Sequence, residues 1–243
     1  MKSRTAISIG LFGMLLVGVP HGFAANHALL SRKVPPKVAH SDAVTGIELG
    51  AASKHDIKDV KLLENVKLDV GGKPLALMRV TSGLRQKKVA LFWFSVYVNQ
   101  VFTNSKADFS SLDQFRKSLM NGLPVVVTMT FVRDIPIDKI VDGYREVFEE
   151  NGVDPKAPVY AEFLNAIQKS GDVKDRQTYS FAFTRDSAGK NRFSFWTNQH
   201  EFYSLNDVKT ADLENFFSMW YAKPSDSGLE QLQEQILKHE TNQ

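Results

Sequence analysis

Cysteine is absent from all 243 residues. That excludes disulfides, thiol nucleophiles and a lipidated N-terminal cysteine, so an exported form of this chain would rely on its apolar core alone. An excess of either charge is lacking as well. The 30 Lys and Arg face 27 Asp and Glu, and no long basic run interrupts that balance, which argues against nucleic acid as a partner. Phosphate-cradling Gly-x-x-x-x-Gly-Lys-Ser/Thr, Gly-x-Ser-x-Gly and His-Glu-x-x-His signatures are all missing. The histidines are scattered with none paired at helical ligand spacing, so neither a metal nor another cofactor is expected. His200-Glu-Phe-Tyr203 is the one cluster with haem-ligating residue types. Strand alternation would send His200 and Tyr203 to opposite faces, and a short strand or turn accounts for it better.

What is present begins with a targeting layout. Lys2 and Arg4 precede an apolar stretch from Ala6 to Val19, followed by Pro20 and the small-x-small triplet Gly22-Phe-Ala24. The stretch of about 14 residues falls short of the roughly 20 that span a bilayer, so a signal peptide over 1–24 is expected, cleaved after Ala24. Export to a periplasm follows. Lys2 and Arg4 leave with the signal, which takes the formal charge from +3 to +1. No transmembrane segment remains after cleavage. Residues 25–57 mix Pro, Ser, Ala, Gly and charge without periodicity and read as a flexible leader. A single domain is expected over 58–243.

Within that domain, Leu62–Val70 and Leu75–Val80 read as two strands around the Gly71-Gly72 turn. Ser82-Gly-Leu-Arg85-Gln-Lys-Lys88 reads as a basic turn feeding a ten-residue apolar run, Val89–Val98, which reads as one buried strand. Arg85 then sits at the mouth of whatever that strand encloses. A guanidinium there can clamp a carboxylate or stabilise an enolate, and equally it can be structural; residue pattern alone leaves both readings open. Lys87 and Lys88 read as a solvated turn.

Helices are expected over Asp108–Met120, from Ile137 to Asn151, near Ala157–Gln168 and over Val208–Tyr221. A last one opens at Ser227-Gly-Leu-Glu230, a capping-box pattern. Asp134 is expected to help cap the helix at Ile137. Val125–Val132 reads as a buried strand, and alternation over Tyr179–Thr184 and Arg192–Trp196 identifies an antiparallel hairpin. The order of elements implies an α+β fold with a large, mostly antiparallel sheet covered on one face by helices.

Three stretches also carry a resemblance in register. These are Ser82-Gly-Leu-Arg85 with the strand end Ser95-Val-Tyr-Val98, Val127-Thr-Met-Thr-Phe-Val-Arg-Asp134 running into Tyr144-Arg-Glu-x-x-x-x-Asn151, and Leu213–Pro224. Together they resemble the chalcone isomerase-like family, in its bacterial, exported branch, over roughly 58–238. The resemblance implies an open-faced sandwich with an apolar cleft between sheet and helices. Plant members cyclise chalcones, and others bind fatty acids in the same cleft; in both, the turn arginine that matches Arg85 faces the ligand's polar end. The isomerases' other catalytic groups do not carry over. Their strand hydroxyl falls near Phe92, their tyrosine near Pro136 and their asparagine near Gly143, while their late Ser/Thr falls at Thr210 or Ala211. The resemblance therefore implies a non-catalytic protein that binds a small apolar or amphipathic ligand such as a fatty acid, with Arg85 on its polar end and Phe92 lining the apolar part. An isomerase or lyase acting on an enone-like substrate, and a structural protein whose cleft is closed, remain the alternatives.

Overall fold

The computed structural model describes residues 44–238. The signal peptide expected over 1–24 and the first part of the leader lie outside them. Ten strands and five helices follow one another as β1 (Val44–Leu49), β2 (Ala52–Ile57), β3 (Val60–Leu63), β4 (Asn65–Val70), β5 (Lys73–Val89), β6 (Phe92–Thr103), α1 (Leu112–Asn121), β7 (Val125–Phe131), α2 (Ile137–Glu150), α3 (Pro158–Lys169), β8 (Thr178–Arg185), β9 (Asn191–Thr197), β10 (His200–Val208), α4 (Thr210–Tyr221) and α5 (Ser227–Lys238). Eight strands make one sheet in the order β1-β4-β5-β6-β7-β8-β9-β10, and β2–β3 is a separate hairpin. Every neighbouring pair in the large sheet is antiparallel.

Three expectations need correction. Residues 44–57 are not a loose leader: β1 pairs with β4, and Val44 and Ile47 are buried. A register shift between Val44 and Gly46 breaks the alternation there, which hides the strand from a period-two reading. Next, Val89–Val98 is not one buried strand. Ala90 and Leu91 turn the chain, Ala90 at φ 54, and join β5 to β6. No Gly, Asn or Pro marks that turn. The segment read as a basic turn is instead the distal part of a 17-residue strand. Gly83 is not a turn residue either; a Cβ there would come within 2.7 Å of Leu232 Cδ1, so the position lets α5 lie close on β5.

Finally, the sandwich is not open on its second face. Val66, Leu68, Leu77, Phe102, Val126, Ala182 and Trp196 form a second buried cluster there. The strongly twisted sheet curls until its edge strands β1 and β10 touch, giving a nearly barrel-shaped body.

The helical face holds the larger core. Inward residues of β6–β9 meet Phe115, Tyr144, Phe148, Phe163, Phe216 and Trp220 from the helices. Phe163 lies at the centre, its ring 5.5 Å from Tyr144, 5.6 Å from Phe193 and 5.4 Å from Phe216. Helix α2 buries Ile137, Val141, Tyr144, Val147 and Phe148, the stripe expected from its 3.6-residue period. Its first N–H is satisfied by Asp172 Oδ1 at 2.9 Å. Asp134, expected as that cap, accepts instead from the Asp175 N–H at 2.9 Å and Lys174 Nζ at 3.3 Å.

Helix α5 is tied along β5. Gln235 Oε1 accepts from the Leu84 N–H at 2.8 Å, and Thr81 donates to the Ile236 carbonyl at 3.0 Å. Its cap is Asp226 rather than Ser227: Asp226 Oδ1 accepts from the N–H groups of Gly228 and Leu229, each at 2.9 Å. This helix start sits directly on Gln86. A Cβ on Gly228 would collide with the Gln86 carbonyl and Arg85 Nη1, which makes glycine necessary there.

Candidate functional site

Hairpin register places two polar side chains side by side. Arg85 of β5 pairs directly with Tyr97 of β6, and Tyr97 pairs with Phe131 of β7. Between Arg85 and Gln86 the register shifts, leaving Val96 as the extra residue of a bulge. Bulges re-aim neighbouring side chains, and this one turns the Arg85–Tyr97 pair under the helices. Helix α2 passes above with Ile140, Gly143, Tyr144 and Val147, while Asp226 and Leu229 come from the start of α5. Together with Met129 and Met219 they enclose a cleft of about 100 Å³, with Lys87, Lys139 and Glu146 at its rim.

Arg85 is fixed rather than free. Its side chain is only 11% exposed, and Nη2 donates to Asp226 Oδ2 at 2.6 Å. Nη1 donates to the Gln86 carbonyl. Five N–H donors on a guanidinium leave others for a ligand. Burial opposes the charge on Asp226, yet the hydrogen bond and charge of Arg85, with the Leu229 and Gly228 N–H groups, outweigh it. The carboxyl is held below its usual 3.8.

The tyrosines shift the other way. Burial pushes the Tyr97 hydroxyl up to about 12, against the opposing pull of the Arg85 guanidinium. Burial also raises Tyr144 well above its ordinary 10.0. Both are therefore neutral donors at any physiological pH, suited to an acceptor oxygen and not to proton abstraction. Tyr144 donates to Met129 Sδ at 3.4 Å, a weak acceptor that a better one could displace. The cleft thus combines apolar walls with a polar floor of one guanidinium and two phenols. Its charged lining comprises three cations (Arg85, Lys87, Lys139) against two acids (Glu146, Asp226), a net positive balance.

Phe92, expected to line the apolar part, is not in the cleft. It pairs with Val89 at the end of the hairpin, four residues along β5 from Arg85, and is 69% exposed. Four residues of strand amount to roughly 13 Å. Arg133 lies over the Phe94 ring at 5.1 Å, outside the site. His200 is exposed at the start of β10, whereas Tyr203 packs towards Phe163, so the two do not form a shared site. Thr210, at the start of α4, faces Asn191.

Tyr97 and Tyr144 are the site residues that sequence reasoning missed. Tyr144 was legible only as part of the helical stripe. Tyr97 could have been found by pairing it with Arg85, but that required knowing where the unmarked turn lies.

No family model and no curated protein matches the chain. Among solved structures, it is similar to the crystal structure of a fatty-acid binding protein from Arabidopsis thaliana, with a TM-score of 0.54 and 12% sequence identity over 77% of this chain and 96% of that one. The likeness is one of fold, and in general layout the chain matches the chalcone isomerase-like fold.

Proposed function

We propose that this chain is an exported, non-catalytic binding protein that takes the polar end of a small amphipathic molecule, such as a fatty acid, into the cleft between the sheet and helices α2 and α5. The observation that carries this reading is the placement of Arg85 and Tyr97 side by side on the floor of a cleft with largely apolar walls and charged residues at its rim. A guanidinium and a neutral phenol match a carboxyl or carbonyl group, and the net positive lining favours an anionic end. The similar fold of a protein named as a fatty-acid binder supports the same ligand class. A cleft of about 100 Å³ is smaller than the roughly 300 Å³ or more that holds drug-sized ligands. It takes the head and a short apolar stem, and a longer tail requires the start of α5 to yield. Export rests on the layout of residues 1–24, and a mature N-terminus at Ala25, read by N-terminal sequencing of the secreted protein, is the expected result.

The binding test uses Gly143, which lines the cleft from mid-helix; a Cβ added there meets nothing within 4 Å. Gly143→Leu fills the cleft and also favours the helix, by roughly 0.8 kcal/mol. After incubation with a lipid extract and repurification, wild type is expected to retain an amphipathic lipid detectable by mass spectrometry. Gly143→Leu is expected to retain at least about tenfold less while melting no lower. Equal retention by the two proteins would sink the cleft as the binding site. The Arg85–Tyr97 donor pair also gives the isomerase alternative its physical basis. Turnover of chalcone by wild type, abolished in Arg85→Ala, would replace the binding reading with that one.

A further inference from the structure

The β5–β6 hairpin ends in an apolar tip. Leu91 is 86% exposed and Phe92 69%, with Val89, Trp93 and Phe94 also exposed beside them. Of the seven large apolar side chains that the described residues leave exposed, these five are consecutive but for Ala90, so the exposure is a local patch and not a general property of the surface. Cations are interleaved with it. Lys88 Nζ lies 5.9 Å from the Trp93 ring centroid, Arg133 lies over Phe94, and Lys87 follows one residue further down the strand. Lys87 has Glu146 at 3.8 Å, a loose and exposed pair, whereas Asp134, next to Arg133 in the chain, pairs with Lys174.

We propose that this tip docks on an anionic lipid bilayer. Leu91, Phe92 and Trp93 enter the boundary between headgroups and acyl chains, and Lys87, Lys88 and Arg133 meet the phosphates. Exposed aromatic and aliphatic side chains at a hairpin end, with lysine and arginine beside them, match the layering of that interface. Charge complementarity selects an anionic surface. A second copy of this chain fits less well. The five side chains at the hairpin end provide less than the roughly 800 Å² per partner of a standard interface, and pairing two tips about a two-fold axis would bring the cations of one close to those of the other. No helix among the described residues is long and apolar enough to cross a membrane. Docking of the tip does not depend on a ligand in the cleft. The two share only Lys87, which lies at the cleft rim, so docking would bring the mouth of the cleft to the bilayer.

Trp93 makes the test selective, because Trp196 and Trp220 are buried and Trp93 is 39% exposed. The mature protein, beginning at Ala25, is mixed with vesicles of phosphatidylglycerol and phosphatidylcholine, or of phosphatidylcholine alone. A blue shift of tryptophan emission and co-sedimentation are expected with the first, both falling as salt rises. Phe92→Ser is expected to weaken co-sedimentation about tenfold or more, and Lys87→Glu with Lys88→Glu to remove the preference for phosphatidylglycerol. Trp93→Phe should abolish the emission shift. Co-sedimentation without a shift would assign membrane attachment to another segment and overturn the proposal. So would a shift that appears without vesicles and grows with protein concentration alongside a doubled mass, which would assign the tip to contact between copies.

Discussion

Asp226→Ala is expected to destabilise the protein by about 3 kcal/mol, measured by urea unfolding. The side chain of Arg85 is 11% exposed and that of Asp226 27%. Removing the carboxylate leaves the guanidinium largely buried without its charged partner and at the same time uncaps α5. Partial exposure of Asp226 keeps the figure at the lower end of the range for broken buried pairs. Asp226→Asn separates the two contributions, since the amide oxygen can still cap the helix while the charge is gone. The pair also predicts an acid limb. Because Arg85 and the helix N–H groups hold the Asp226 carboxyl below its ordinary 3.8, its contribution is complete above that value and is lost as pH falls through the folded-state value. The stability difference between wild type and Asp226→Asn should therefore be constant at neutral pH and shrink below about pH 4. A difference that persists undiminished in acid would mean that Asp226 acts through packing and not through charge.

Phe163→Ala is the other large effect, about 4 kcal/mol and about 10 °C in Tm. The side chain is fully buried, and its ring contacts aromatic residues of α2, β8, β9, β10 and α4. Rings arriving from five elements cannot all shift inward, so the void left by truncation does not collapse, and the cost carries a cavity contribution beyond the lost burial. Phe163→Leu should cost less than half as much. A loss below about 1 kcal/mol for the alanine variant, by calorimetry or urea unfolding, would show that the core relaxes around the site and that Phe163 does not organise it.

Such a centre was partly legible in the chain. Phe163 falls on the stripe of α3, Phe181 and Phe183 on the inward parity of β8, and Phe216 on that of α4. These residues interact with their own segments through fixed periods of 3.6 or 2, so their facing follows from local spacing. The same logic failed wherever the spacing is locally irregular. Val44 and Ile47 lie across a bulge, and Ala90-Leu91 turn the chain without turn residues. An apolar run with no punctuation fits a buried strand and a hairpin tip equally well by periodicity alone.

The sequence by itself determined the α+β class, the limits of four of the five helices to within a few residues, the strands β7, β8 and β9, and Arg85 as the polar residue to examine. Tertiary structure alone decided what that arginine touches. Its partners are Tyr97, set beside it by one hairpin register and one bulge, and Asp226, brought by the close seat of α5 on β5 at Gly83 and Gly228, while Met129 and Tyr144 line the same cleft. It also moved Phe92 out of the cleft and onto the surface. The physical reason is the same in both cases. Local spacing sets which way a side chain faces within its own element, but the pairing of one strand with another is a long-range choice, and a shift of a single residue exchanges the two faces.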